Sequence, residues 1–239
     1  MPGRNGPDAS ARLDDALTPG SEEFTADDLG EMVLRLAHEI RNPLATIKSG
    51  AQLVQHLIKP QGEILDYVTS ILAAVARIDG AVRDMQRFVK IEPLRPSSLD
   101  ISEVVATGLR CVLHEARGGN VSLVLVSGEP VRVTCNREHL RTVVEELLSN
   151  AIRFSPPGST VMVSWQAQDN GVLLHVDDEG PGIPAENASR ILRPFFSTST
   201  QGTGLGLTIV AKICRLCGAS IEWRNLAGKG CRFTIRLKS

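Results

Sequence analysis

The chain has 239 residues with 26 Lys+Arg against 27 Asp+Glu, and this net charge of -1 argues against a nucleic-acid binder, which carries a basic surplus. Apolar residues make up 42% of it and aromatics only 4%, so Leu, Val, Ile and Ala must fill its core. The roughly 18 consecutive apolar residues of a membrane span are absent, MPGRNGPDAS lacks the apolar run of a signal peptide, and five cysteines, an odd number, read as reduced thiols of a cytoplasmic protein.

Residues 1–24 are rich in Pro, Gly, Ser and Asp and are expected to be a disordered acidic tail. Thr25 and Asp28 have the spacing of a capping box that opens a helix. From Val33 a heptad seam runs through Ala37, Ile40, Leu44, Ile47, Ala51, Val54 and Ile58. KPQG at 59–62 interrupts it, and the seam resumes as Ile64, Val68, Ile71, Val75, Ile78, Val82, Met85 and Val89. Leu36, Leu53, Leu57, Leu65 and Leu72 flank the seams. Residues 25–92 therefore predict a helical hairpin with more apolar surface than two helices can cover. Two copies would complete a four-helix bundle, so a homodimer is expected.

The prolines of 93–98 mark a linker to a second domain, 99–239. There the pattern predicts helices over 99–116, 137–153 and 205–216. It predicts strands over 121–126, 131–134, 161–167, 172–177, 221–224 and 232–237. The fold class is multidomain: an all-α hairpin followed by an α/β sandwich, one sheet covered by helices.

Three motifs of this second domain carry chemistry. In VVEELLSNAIRFSP, Glu146 and Asn150 lie four apart on one helix face, and Arg153 follows on that face. An Asn carbonyl can ligate Mg²⁺ without adding charge. A Glu one turn away can order or deprotonate a water beside the metal, and Arg153 can meet a phosphate. The bland alternative is a polar stripe on an amphipathic helix. In DDEGPGI, an acid at a strand end precedes Gly180 and Gly182, which let the backbone turn or come close to a planar ligand. In GTGLGLTIV, Gly202, Thr203, Gly204, Leu205 and Gly206 lead into a helix whose first N–H groups can cradle phosphates. This loop has neither the strand of a dinucleotide fingerprint before it nor the G-K-[ST] of a P-loop after it. Metal helix, base-reading turn and phosphate loop in that order indicate a nucleotide pocket.

Taken with LAHEIRNPLATI at 36–47 and RPFFST at 193–198, these motifs resemble the catalytic core of sensor histidine kinases of the two-component family, over residues 30–239. The resemblance implies that His38 is the phosphorylated residue and Glu39 the acid that activates it. Asn42 would place a water for dephosphorylating the response regulator, and Pro43 would bend the helix. It further implies Asn150 as Mg²⁺ ligand in the N box with Glu146 beside it, Asp178 as reader of the adenine amino group, and Phe196 in the F box. Gly180 and Gly182 match the first glycine box, and Gly202, Gly204 and Gly206 the second. The implied cofactors are ATP and Mg²⁺. The implied activity is autophosphorylation of His38 and transfer to a response regulator, with an ATP-binding scaffold that transfers no phosphate as the alternative. Ser199 stands where many short-lid members carry a lysine. Thirty residues are too few for a sensor domain, so the input is expected from another protein in trans or from sequence beyond this chain. No receiver domain follows Lys238, so a separate response regulator is the expected acceptor.

The physical content of that assignment is a neutral imidazole attacking a phosphorus. The unperturbed imidazole pKa, about 6.5, leaves much of it neutral near pH 7. The one-residue offset of His38 from Ala37 predicts a side chain outside the bundle core. Cys111, Cys135, Cys214, Cys217 and Cys231 are read as core residues, because the thiols of C-x-x-C and Cys231 lack a fourth zinc ligand. His56, His114, His139 and His175 are read as surface or satisfied core residues, and Trp165 and Trp223 as packing residues.

Overall fold

The two seams form two long helices, α1 (Ala26–Leu57) and α2 (Glu63–Lys90). The computed structural model describes residues 26–57, 63–126, 128–168, 171–199 and 202–238. The acidic leader, Thr25 of the capping box, Ile58 and the KPQG break lie outside the described residues, and so do the side chains of His38, Glu39 and Pro43. Helix α1 runs through Pro43 without interruption.

Alternate positions of each seam behave differently. Ala37, Leu44 and Ala51 are buried against the hairpin partner's Val68, Val75 and Val82 set, every one at 9% exposure or less. The intervening Ile40, Ile47, Val54, Ile64, Ile71 and Ile78 are 37–59% exposed. Each set recurs every seven residues, as one position of a heptad must. A hairpin of two helices covers one set and leaves the other in solvent. Arg41 ties the helices at one level, donating to Gln86 at 2.8 Å and pairing with Asp79 at 3.5 Å.

Past α2, residues 91–96 lead to a short strand, β1 (Ser97–Asp100), in place of the expected linker end and helix start. It pairs antiparallel with β3 (Arg132–Cys135), Ser97 opposite Cys135. Helix α3 (Ile101–Gly118) starts two residues later than the pattern suggests. Asp100 caps it instead, accepting from the Ser102 N–H at 2.9 Å, which satisfies an orphan donor of the first turn. Strand β2 (Ser122–Val126) and helix α4 (Arg137–Phe154) follow, α4 capped by Asn136 through the Glu138 and His139 N–H groups.

Strands β4 (Thr160–Gln168) and β5 (Gly171–Asp177) form a hairpin, and helix α5 (Gly206–Leu216) and strands β6 (Ser220–Asn225) and β7 (Cys231–Lys238) complete the chain. The main sheet has the order β2-β4-β5-β7-β6, antiparallel except for the β2–β4 pair. A 3-10 turn, Ala185–Asn187, lies between β5 and α5, where the sequence pattern predicts no element.

Inward residues of β4 (Val161, Val163, Trp165) and β7 (Phe233, Ile235, Leu237) share one core with α3, α4 and α5. On α4 the buried stripe is Leu140, Val143, Val144, Leu147, Leu148, Ala151 and Ile152, the three-and-four spacing of one helix face. Truncating a fully buried leucine such as Leu148 costs about 2–5 kcal/mol. This stripe sets the helix phase, and that phase turns Glu146, Asn150 and Arg153 away from the core. The described chain is thus a helical region followed by a mixed α/β domain. Among the described residues no helix is long and apolar enough to cross a membrane.

Candidate nucleotide site

Asp178 begins the site. Its neighbour Asp177 ends β5 opposite Arg232 on β7, and the two form a two-pronged ion pair at 2.7 and 2.6 Å. That pair holds the strand end from which Asp178 projects. Asp178 is 7% exposed, and its Oδ1 accepts from the N–H of Gly180 at 2.8 Å and of Cys231 at 3.1 Å. Burial pushes its carboxyl above the ordinary range, and the two backbone donors pull it partly back. Both bonds fall on Oδ1, so Oδ2 is the acceptor offered to the cavity that Asp178 lines.

The cavity measures about 110 Å³. Asn150, Arg153 and Phe154 of α4 form one wall, Asp178 with Gly182 and Ile183 a second, and Phe196, Thr198 and Gly204 a third. Asn150, Arg153, Asp178, Gly182, Phe196 and Gly204, named from sequence alone, therefore meet around one space although they span more than fifty positions of chain.

The turn after Asp178 is pinned by a residue that the sequence reading missed. Asn225, at the end of β6, accepts from the Ile183 N–H at 2.8 Å and donates to the Ile183 carbonyl at 2.9 Å. No local signal marks Asn225; only the meeting of β6 with the turn gives it a role.

The phosphate-loop candidate lies against the F-box segment. Gly204 has φ +72°, and a Cβ there would stand 2.5 Å from the Phe195 carbonyl carbon and 2.7 Å from the Phe196 nitrogen. Phe195 itself has φ +62°, a strained value for an aromatic residue. Arg190 stands over the Phe196 ring at 4.5 Å from its centroid. Gly206 starts α5, and a Cβ on it would come within 2.8 Å of Glu146 Oε2. Glycine at 206 thus lets the Glu146 carboxylate approach the first turn of α5. Leu205 is 1% exposed: its side chain belongs to the core, and only its backbone is at the loop. Within the lid, Thr200 and Gln201 lie outside the described residues.

The last turns of α2 close against this region. Arg87 Nη1 pairs with Glu146 Oε1 at 2.9 Å, and Thr203 Oγ1 donates to Asp84 at 2.7 Å. Lys212 of α5 donates to the Phe88 carbonyl at 2.7 Å and stands over its ring. Burial raises the Glu146 pKa, Arg87 works against it, and Asp84 adds to the rise. Asn42 is exposed on α1, and the contacts just described come from α2.

Three of the core assignments for cysteine agree with the structure: Cys135, Cys214 and Cys231 are buried, and Cys217 is partly so. Cys111 is exposed, a correction to the core reading: its position on α3 falls off the buried stripe of Val104, Val105, Gly108, Val112 and Ala116. His139 is buried, and His175 meets Thr234 Oγ1 at 2.9 Å. Among the described residues no cluster of three His, Cys, Asp or Glu could hold a metal ion.

A sequence model of the His Kinase A (phospho-acceptor) domain matches residues 28–94, and one of the histidine kinase-, DNA gyrase B- and HSP90-like ATPases matches 135–239. The sensor histidine kinase ZraS of Klebsiella oxytoca is 30% identical over 211 residues, covering 87% of this chain and 46% of ZraS. The chain thus spans about half the length of the curated relatives it matches. Among solved structures, full-length ShkA in complex with AMPPNP superposes with a TM-score of 0.68 at 25% identity, over 88% of this chain and 46% of that one. Histidine kinase ThkA in complex with response regulator TrrA gives 0.66 at 25% identity, over 89% of this chain and 62% of that one. With a phospho-acceptor-type helical region and an ATPase-type α/β domain in this order, the chain carries the core of a two-component sensor histidine kinase.

Proposed function

We propose that this chain binds ATP with Mg²⁺, phosphorylates its own His38, and passes the phosphoryl group to an aspartate of a separate response regulator. The observation that carries the reading is the single cavity on which Asn150, Asp178 and Gly204 converge. Asp178 offers a buried carboxylate oxygen to a base amino group. The Gly202–Gly206 loop and the α5 N-terminus offer N–H groups to phosphates. Asn150 and Glu146 suit Mg²⁺, which is commonly held by one or two protein oxygens plus substrate phosphates rather than by a full protein cage. When bound, the metal neutralises charge on the transferring phosphoryl group. Arg153 lines the same cavity and supplies a second positive charge.

His38 lies within the segment matched to phospho-acceptor domains, and its imidazole is the nucleophile. Glu39 holds the proton of the other ring nitrogen, and Glu146 acts at the nucleotide. Asn42, exposed on α1, positions the water that removes the phosphoryl group from the regulator.

The working unit is a homodimer. The exposed isoleucine and valine set on α1 and α2 supports this, because it is the uncovered half of a heptad seam, and a second copy supplies the same surface. The signal comes from an input protein or from sequence outside this chain. Domain limits of 25–92 and 99–239 are part of the same proposal.

The test uses purified chain, Mg²⁺ and γ-labelled ATP beside a His38→Gln variant. Label that survives base, is lost in acid, and is absent from the variant is the expected result. Tight ATP binding with no label on the unmodified chain would refute the kinase reading and leave a scaffold.

A further inference from the structure

Two cysteines far apart in sequence meet at the back of the nucleotide-binding domain. Cys135 ends β3 and Cys217 caps α5, and their sulfurs are 3.0 Å apart. A disulfide needs about 2.05 Å, so the pair has to close by about 1 Å. Cys135 is 2% exposed, whereas Cys217 is partly open to solvent. His139 Nδ1, in the first turn of α4, is 3.9 Å from the Cys217 sulfur, and the Asn136 backbone N–H also points to it. The second cysteine of the C-x-x-C motif therefore has its nearest thiol partner in another element.

We propose that Cys135 and Cys217 form a reversible thiol–disulfide pair oxidised by hydroperoxides, with Cys217 as the attacking sulfur and Cys135 as the resolving one. The Cys217 thiolate attacks a peroxide oxygen, the O–O bond breaks, and the departing alkoxide or hydroxide takes a proton. Cys217 is then a sulfenic acid. The Cys135 sulfur attacks the Cys217 sulfur, the S–O bond breaks, and the hydroxide leaves as water with the proton of Cys135. Two thiols are oxidised to one disulfide and one hydroperoxide is reduced to an alcohol or water.

The electrostatics fit these roles. The Cys217 thiol is pulled below its usual pKa, first by the hydrogen bond from Cys135 and then by His139, against an opposing push from burial. Cys135 is pushed up, as the proton donor of the pair. Exposed Cys111 is also pushed up, by the Glu145 carboxylate. Reactivity is therefore expected at the half-buried thiol rather than at the exposed one.

The position of the pair also matters. Cys135 lies opposite Ser97, the first residue of β1 after the 91–96 segment that follows α2. Cys217 closes α5, the helix whose Lys212 holds Phe88 of α2. A bond between them ties the start of the domain to the helix that grips the hairpin. This stiffens the joint about which the nucleotide site must move to reach His38, a consequence that rests on the proposed kinase reading.

The full chain is treated with hydrogen peroxide, then its thiols are titrated and a non-reducing peptide map is made. The five thiols should fall to three, with one cross-link between the Cys135 and Cys217 peptides that dithiothreitol reverses. In Cys135→Ser, a dimedone-type reagent should trap a sulfenic acid on Cys217. Five thiols remaining, a Cys214–Cys217 bond, or faster alkylation of Cys111 than of Cys217 would each overturn the pair. In cross-linked protein, His38 labelling should be lost and then recover on reduction; labelling at an unchanged rate would overturn the coupling. Absence of label in both states would instead sink the kinase reading, and the peptide map would still decide the thiol pair.

Discussion

Replacing Asp178 by Asn separates the two jobs of that carboxylate. One oxygen holds the turn through Gly180 and Cys231, and the other is offered to the ligand. Asn keeps an acceptor at the first position and places an NH₂ donor at the second. The loop stays anchored, while the amino group of adenine meets a donor instead of an acceptor. A hydrogen bond to a charged group is worth about 1.5–3 kcal/mol, so ATP affinity should fall by about 10- to 150-fold. Stability should move little, or rise. Burial raises the Asp178 pKa in the folded chain, so the folded state binds protons more readily there than the unfolded state. Stability from this group is then lost as pH climbs from the unfolded value through the folded one, and at neutral pH its charge is a net cost. The neutral amide removes that cost. Isothermal calorimetry with ATP and GTP, beside thermal melts of the nucleotide-free protein, measures both effects. The ATP-over-GTP preference should shrink, since the guanine carbonyl accepts from the new NH₂. An Asp178→Asn variant that binds ATP within about threefold of the parent, at an unchanged Tm, would refute the assignment of the second oxygen.

Gly204→Ala forces an alanine into the left-handed region, which costs about 1–2 kcal/mol, and presses its methyl against the Phe195 and Phe196 backbone. Urea unfolding should show a lower midpoint, and ATP affinity should drop with it as the loop shifts. Arg87→Ala removes a pair in which Arg87 is 46% exposed, so its loss frees at most about 1 kcal/mol and speeds histidine labelling by about two- to fivefold if the α2 contact restrains the domain. The same change deprives Glu146 of its main opposition to burial, so the acid limb of the rate–pH profile should move to higher pH; an unmoved limb would show that Glu146 is not the titrating base. Ile71→Arg puts a charge on the uncovered seam. Losing about 1.5–3 kcal/mol of burial from each copy should weaken a dimer by at least about 100-fold in sedimentation equilibrium.

Periodicity made the helices legible. The heptad spacing of α1 and α2 and the buried stripe of α4 each follow from one residue's relation to neighbours three and four away, and that relation is local. The helical phase then assigned Glu146, Asn150 and Arg153 to one face without knowledge of the fold, and glycines at 182 and 204 marked turns because glycine adopts their positive φ without steric cost. The sequence by itself thus determined the two-part architecture, the order of the motifs and six residues that line the cavity, Asn150, Arg153, Asp178, Gly182, Phe196 and Gly204. Tertiary structure alone decided the β1–β3 ribbon, the Asn225 anchor on the Ile183 turn, the closure of Arg87 on Glu146, and the approach of Cys135 to Cys217. Each of these joins residues tens of positions apart by a few hydrogen bonds, one ion pair or one sulfur contact. Such a contact leaves no repeat along the chain, and its partners become visible only when sheet order and helix packing bring them together.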